Sequence, residues 1–188
     1  LKNKIYGVKV GLEMFISEGP KVVTHLKDEG WNVFLDLKLH DIPNTVKEAT
    51  KSAGNIGADY LTIHISSSKE ALYEASVNKK ESLKLLGVSS ALTSKAIDTE
   101  TSERVYLEFE LAKESNVDGV ICPPSEITKS INIFDLVVSP GIRLKDDLSN
   151  DQKNITTPEK AIADGASYIV MGRSIRNNLD YVINELNI

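Results

Sequence analysis

The sequence predicts an α/β chain of repeated β/α units, read as a TIM-type (β/α)8 barrel that lacks its first β/α unit. Three observations carry that reading. Short β-branched or apolar runs recur along the chain, longer amphipathic stretches separate them, and no linker, low-complexity segment or charge block interrupts the rhythm. Strands separated by helices imply βαβ units and a parallel sheet. At 188 residues the chain suits one domain of roughly 150 residues or a little more. Residues 1–188 are therefore expected to form a single barrel domain, truncated at its N-terminus.

Taken in order, the expected strands are YGVKVG, NVFLDLK, YLTIHI, KLLGVSSA, DGVIC, DLVVSPG and YIVMGRS. Helical patterns fall between them, near 19–29, 43–56, 68–80, 99–116, 125–131 and 157–164, with a last helix from about 179 to the end. Pro43 suits an early helix position. Gly57 and Gly165 each sit between a helical run and the next strand, where a helix commonly stops. The strings Gly57-Ala58-Asp59 and Gly165-Ala166-Ser167 precede similar strands and hint at repeated units. Seven such units are one short of a closed eight-stranded barrel. A doubly wound open sheet is the structural alternative, since periodicity does not separate the two. With a strand-like run beginning at Tyr6, close behind Leu1, a further unit is expected upstream.

Composition removes several function classes. Lys plus Arg number 22 against 27 Asp plus Glu, a formal charge of -5, so there is no bulk attraction for nucleic acid or an anionic membrane. No apolar run approaches the ~18–20 residues of a membrane span. The single cysteine, Cys122, leaves no internal disulfide framework and suits a reducing cytoplasm, the expected location. At a strand end it reads as a small buried apolar residue.

Charge inside the strands is the informative feature. A parallel strand is covered on both faces, so a charge there is costly unless compensated. In FLDLKLHD, alternation puts Phe34, Asp36 and Lys38 on one face and Leu35, Leu37 and Leu39 on the other. The leucine face suits outer helices, which leaves Asp36 and Lys38 facing the barrel interior near its C-terminal mouth. An ion pair at a wet strand end would look the same. Lys9 sharpens the case: it shares a face with Gly11 on the preceding strand, with Val8 and Val10 opposite. Asp41 follows Lys38 by three residues, so two lysines and two aspartates are placed to form an alternating array. Catalysis in barrels occurs at these strand ends. His64 shares a face with Tyr60 and Thr62 and reads as a hydrogen-bonded core histidine, while His25 and His40 have no partner motif. No His/Asp/Glu spacing suggests a metal site.

Anion-binding signals cluster late. SPGIR places Pro140, Gly141 and Arg143 after the sixth predicted strand, and MGRS places Gly172 and Arg173 after the seventh. In the barrel these are the last two units, whose loops often hold phosphate with backbone N–H groups and forked arginine donors. The polar, aperiodic run LKDDLSNDQKNIT reads as a lid that would bring Gln152 to a ligand, or as a plain surface loop.

The strings KVGLEMF, EGP, FLDLKLHDIPNTV, LTS, DGVIC, SPGIR, DQKNITTP and MGRSI, in that order and over nearly the whole chain, resemble bacterial-type orotidine 5'-phosphate decarboxylases. The resemblance implies removal of CO2 from C6 of orotidine 5'-phosphate to give UMP, without metal or organic cofactor. It implies that Lys38 stabilises and then protonates the C6 carbanion, flanked by Asp36 and Asp41, with Lys9 completing the charged set. Asp41 and Thr45 match positions that reach the partner subunit's site, so a homodimer is implied. Thr93 matches the residue at the pyrimidine, Gln152 the one spanning base and phosphate, and Arg143, Gly172 and Arg173 the phosphate side. The chain departs from the family pattern in three places. The family's opening strand, with its ribose-binding aspartate, has no counterpart. Ser66, Ser67 and Ser68 stand where a glycine pair is usual, and Leu144 where proline is common.

Two rivals stand beside this reading. Mg²⁺-dependent phosphosugar decarboxylases and aldolases of the same superfamily share the Asp-x-Lys-x-x-Asp strand but carry a metal-binding glutamate where this chain has Lys9. A non-catalytic nucleotide- or phosphate-binding barrel draws support from the absent first strand and is opposed by the intact charged array.

Overall fold

The computed structural model describes residues 4–93, 98–144 and 155–186. Contacts divide the chain into two compact units, Leu1–Val88 with Leu111–Asp118, and Ser89–Glu110 with Gly119–Ile188.

In the first unit the strands are β1 (Gly7–Gly11), β2 (Asn32–Leu39), β3 (Tyr60–His64) and β4 (Lys84–Val88), parallel and adjacent in chain order. Helices α1 (Leu12–Glu18), α2 (Lys21–Asp28), α3 (Pro43–Asn55) and α4 (Lys69–Asn78) connect them. Val10, Val33, Leu35, Leu61, Ile63 and Leu85 are fully buried, as expected for strands covered on both faces. Val46, Thr50, Ala53 and Gly54 form the buried stripe of α3 at helical spacing. Pro43 opens that helix, where its missing N–H costs nothing. Gly57 closes the turn after it at φ 94°, a conformation open to glycine.

The second unit holds a 3-10 turn (Ser90–Thr93) and most of α5 (Thr99–Glu114). Parallel strands β5 (Gly119–Ile121), β6 (Val137–Ser139) and β7 (Tyr168–Ile169) follow, again in chain order. A 3-10 turn (Pro124–Glu126) runs into the short α6 (Ile127–Ser130), and α7 (Pro158–Ala163), α8 (Arg173–Asn177) and α9 (Leu179–Leu186) complete the unit. Phe109 and Phe134, both buried, meet edge to face with centroids 6.5 Å apart. Among the described residues no helix is long and apolar enough to cross a membrane.

The repeated strings seen in the sequence have a physical basis. Asp59 and Ser167 sit immediately before β3 and β7, and each side chain accepts a backbone N–H from the strand before it. Val33 donates to Asp59 at 2.7 Å and Val137 to Ser167 at 3.0 Å. Asp118, just before β5, does the same for Leu85 at 2.8 Å. At Asp59 and Ser167 the polar side chain stitches consecutive strands of one unit together at their N-terminal ends.

The helix expected near 19–29 is α2, and the one expected from about 179 is α9. Two helices were not expected. The first, α1, is divided from α2 by Gly19 (φ 68°) and Pro20. It buries none of its residues, with Leu12, Met14 and Ile16 at 50%, 49% and 78% exposure, so it leaves no amphipathic signature. The second, α8, is only five residues long.

Gly119 gives the sharpest packing test. A Cβ there would lie 2.4 Å from the Leu136 carbonyl oxygen and 2.7 Å from its Cβ, and a backbone oxygen has no rotamer by which to withdraw. Gly119→Ala is expected to destabilise the fold by ~1–3 kcal/mol, the usual range for overpacking. Thermal or urea denaturation reads it, and an unchanged midpoint contradicts this packing.

Candidate active site

The site is assembled around one carboxylate. Asp36 lies on β2 and is 7% exposed. Its Oδ2 accepts a hydrogen bond from Lys9 Nζ at 3.0 Å, delivered from β1, where Gly11 pairs with Asp36 across the ladder. Its Oδ1 accepts from Lys38 Nζ at 2.7 Å and from Thr62 Oγ1 at 3.0 Å. Gly11 matters through what it leaves empty, since a Cβ at that position would stand 3.2 Å from Lys9 Nζ. Lys9, Asp36 and Lys38 are thus brought together as a Lys–Asp–Lys cluster.

The strand that carries it is not regular. Leu35 pairs with Leu61 and Leu39 with Ile63, so three residues of β2 stand opposite Thr62 alone. Lys38 takes up the slack at φ 52°. For a residue with a Cβ this region costs roughly 1–2 kcal/mol, and such outliers concentrate at functional positions. Leu37 and Leu39, expected on the covered face, are only half-buried as a result.

Burial is the largest influence on the Asp36 carboxyl and pushes its pKa up. The Lys38 hydrogen bond and the charges of Lys9 and Lys38 together outweigh it, and the pKa settles below the ordinary carboxylate value. The carboxylate is thus ionised at neutral pH.

Asp41 and Thr45 are exposed at the entry to α3. Asp41 accepts the Ile42 N–H at 2.7 Å, and among the described residues no cation lies within ion-pair distance of it. Of the four-charge array expected from the sequence, three members meet in this chain, and Asp41 is not among them. His64 is half-buried, and its ring lies against that of His40, centroids 5.5 Å apart. That pairing spans a strand and a loop and leaves no local spacing to read. The departures at Ser67 and Ser68 serve the backbone: Ser67 Oγ donates to His64 O at 2.8 Å, and Ser68 Oγ caps α4 by accepting the Ala71 N–H at 3.0 Å.

The second unit carries the remaining residues. Thr93 ends the 3-10 turn. Ile142 bridges to Thr156, and Arg143 N donates to Thr156 O at 3.0 Å, while the Arg143 guanidinium donates to Ile142 O at 2.9 Å. Gly172 precedes α8, whose first residue is Arg173, and a Cβ at Gly172 would meet nothing within 4 Å. Gln152 lies outside the described residues, as does most of the segment 144–156. Cys122 is buried, with its thiol pushed up to about 12, chiefly by burial. No group of three metal-ligating side chains is found among the described residues.

A sequence model of the orotidine 5'-phosphate decarboxylase / HUMPS family matches residues 1–182. The chain belongs to that family. It is 41% identical to an orotidine 5'-phosphate decarboxylase of Bacillus cereus, over 89% of this chain and 78% of the relative. It is 42% identical to that of Fusobacterium nucleatum, over 91% and 78%. Among solved structures it is similar to the orotidine 5'-phosphate decarboxylase of Lactobacillus acidophilus, with a TM-score of 0.77 and 33% identity over 96% of this chain and 87% of that one. The fold is accordingly of the TIM-barrel class of this family, with four parallel strands described in the first unit and three in the second.

The lowered carboxyl pKa sets a pH dependence. A depressed folded-state pKa contributes stability that is present above the unfolded value of 3.8 and is lost as pH falls through the lower folded value. The stability difference between the parent and Asp36→Asn should therefore be full at neutral pH and shrink as pH is taken below 3.8. Melting temperatures measured from neutral to acid pH check this, and a constant difference rules it out.

Proposed function

We propose that this chain converts orotidine 5'-phosphate to UMP and CO2, without a metal or organic cofactor. The observation that carries the reading is the Lys9–Asp36–Lys38 cluster, which holds two ammonium groups on one ionised carboxylate at 3.0 and 2.7 Å. Breaking the bond from C6 to the carboxyl carbon leaves an electron pair in an sp2 orbital at C6 that the ring cannot delocalise. A fixed cation beside C6 is the direct remedy. Lys38 supplies that cation and then delivers an Nζ proton to C6, recovering one from solvent.

Magnitudes limit what Lys38 does alone. One ammonium ~4 Å away is worth about 4 kcal/mol at an effective dielectric near 20. An acceleration of ~10¹⁷ requires roughly 23 kcal/mol. Binding energy from the remote phosphate supplies much of the rest by organising the charges before reaction. Arg143, Gly172, Arg173 and Gln152 take that role, with Thr93 at the pyrimidine. Asp41 and Thr45, exposed at the start of α3, reach the site of a second protomer in a homodimer. Residues 1–188 act as one barrel domain.

A Mg²⁺-dependent phosphosugar activity is the alternative within the family, and the ammonium of Lys9 beside Asp36 disfavours it. The ultraviolet change of orotidine 5'-phosphate tests the reaction, and a rate insensitive to EDTA separates the alternatives. Lys38→Ala is expected to abolish turnover while UMP still binds, and near-normal turnover would refute its role. Arg173→Ala is expected to lower kcat/KM by a charged hydrogen bond's worth, about 1.5–3 kcal/mol. An unchanged kcat/KM counts against the phosphate assignment.

A further inference from the structure

We infer that Thr62 is a positioning residue for the reaction proposed above, its buried hydroxyl locking Lys38 and Asp36 into one arrangement. The inference rests on that reading of Lys38. The irregular register puts Asp36, Leu37 and Lys38 opposite Thr62 alone, so the Lys38 N–H leaves the regular ladder. Thr62 Oγ1 takes it up as acceptor at 2.7 Å. The same hydroxyl donates its proton to Asp36 Oδ1 at 3.0 Å, and Lys38 Nζ donates to that same oxygen at 2.7 Å.

The contacts close a ring: Lys38 backbone nitrogen, Thr62 hydroxyl, Asp36 carboxylate, Lys38 ammonium. Lys38 is thus held at both ends through one side chain, and its left-handed backbone at φ 52° is fixed by a hydrogen bond from outside its own strand. Thr62 is fully buried, so water does not stand in for the hydroxyl if it is removed. Thr62 bonds Asp36 at Oδ1 whereas Lys9 bonds it at Oδ2, and the phosphate-side residues Arg143 and Arg173 lie on other elements. Its loss is therefore felt in the chemical step and not in substrate capture.

Thr62→Val keeps the shape and removes the hydroxyl, while Thr62→Ser keeps the hydroxyl. Thr62→Val is expected to lower kcat about ten- to a hundredfold with KM for orotidine 5'-phosphate within about threefold, the signature of misplaced rather than missing groups. Thr62→Ser is expected to restore kcat to within about threefold of the parent. Hydrogen exchange at the Lys38 amide gives a readout free of turnover, slow in the parent and at least about tenfold faster in Thr62→Val. A Thr62→Val kcat within about twofold of the parent overturns the inference. So does a Thr62→Ser variant as slow as Thr62→Val, or a Lys38 amide that exchanges freely in the parent. If Thr62→Val does not fold, Thr62→Ser and the parent's amide decide. A parent inactive on orotidine 5'-phosphate removes the proposed substrate, and a protected Lys38 amide released in Thr62→Val then upholds the clamp.

Discussion

Everything in the charged site depends on Asp36 staying ionised among strands whose buried side chains are mostly leucine, valine and isoleucine. A carboxylate this deeply placed loses its water, and that loss alone would drive it to the neutral acid. Three donors prevent it, two of them cationic. The dependence is mutual. Lys9 and Lys38 come from adjacent strands toward one point, and without the anion between them each would feel the other as a like charge. A single carboxylate therefore makes it possible to hold two ammonium groups near one another in a partly dry site. Removing one member is worse than replacing all three, because it strands a charge without its partner.

That arrangement is obtained by breaking sheet regularity. In a straight parallel strand Asp36 and Lys38 would share a face and point away in parallel, two residues apart. Here the strand gives up its pairing between Leu35 and Leu39, and Lys38 enters the left-handed region. The backbone N–H released from the ladder must find an acceptor, because a buried orphan is costly. A threonine on β3 supplies one and uses its remaining proton on the carboxylate. Strain, a displaced amide and a buried hydroxyl are one structural event seen from three residues.

The sequence made much of this legible, and its omissions have physical causes. Charges in an apolar strand are read easily, because alternation assigns their face, and the cluster of Lys9, Asp36 and Lys38 follows from two short strings. The role of Thr62 was not legible. Its partners arise from a register shift, and register is set by pairing between strands, not by any local pattern. The contact of His40 with His64 is hidden for the same reason. Helix α1 escaped because it buries nothing, and an amphipathic pattern exists only where one face is covered. The serines at 67 and 68, conspicuous as departures from a family pattern, turn out to bond the local backbone.

The chemistry of the donor set bears on why an ammonium, and not a metal ion, suits the proposed reaction. A carboxylate offers about four acceptor positions, and Asp36 has three of its hydrogen bonds already made, spread over both oxygens. A divalent ion at the remaining position would stand beside two ammonium groups already bound to the same carboxylate, a crowding of like charge. A metal ion stabilises a carbanion but carries no proton to give it. In the proposed reaction Lys38 combines both capacities in one group: its charge lowers the energy of the electron pair, and its N–H quenches that pair. Such a group works only if it is charged when the bond breaks and aimed when the proton moves. Toward the first requirement, Asp36 places its carboxylate 2.7 Å from the Lys38 ammonium. The second falls to the backbone of Lys38, which is why the conformation of a single peptide unit bears on the chemistry at its side-chain tip.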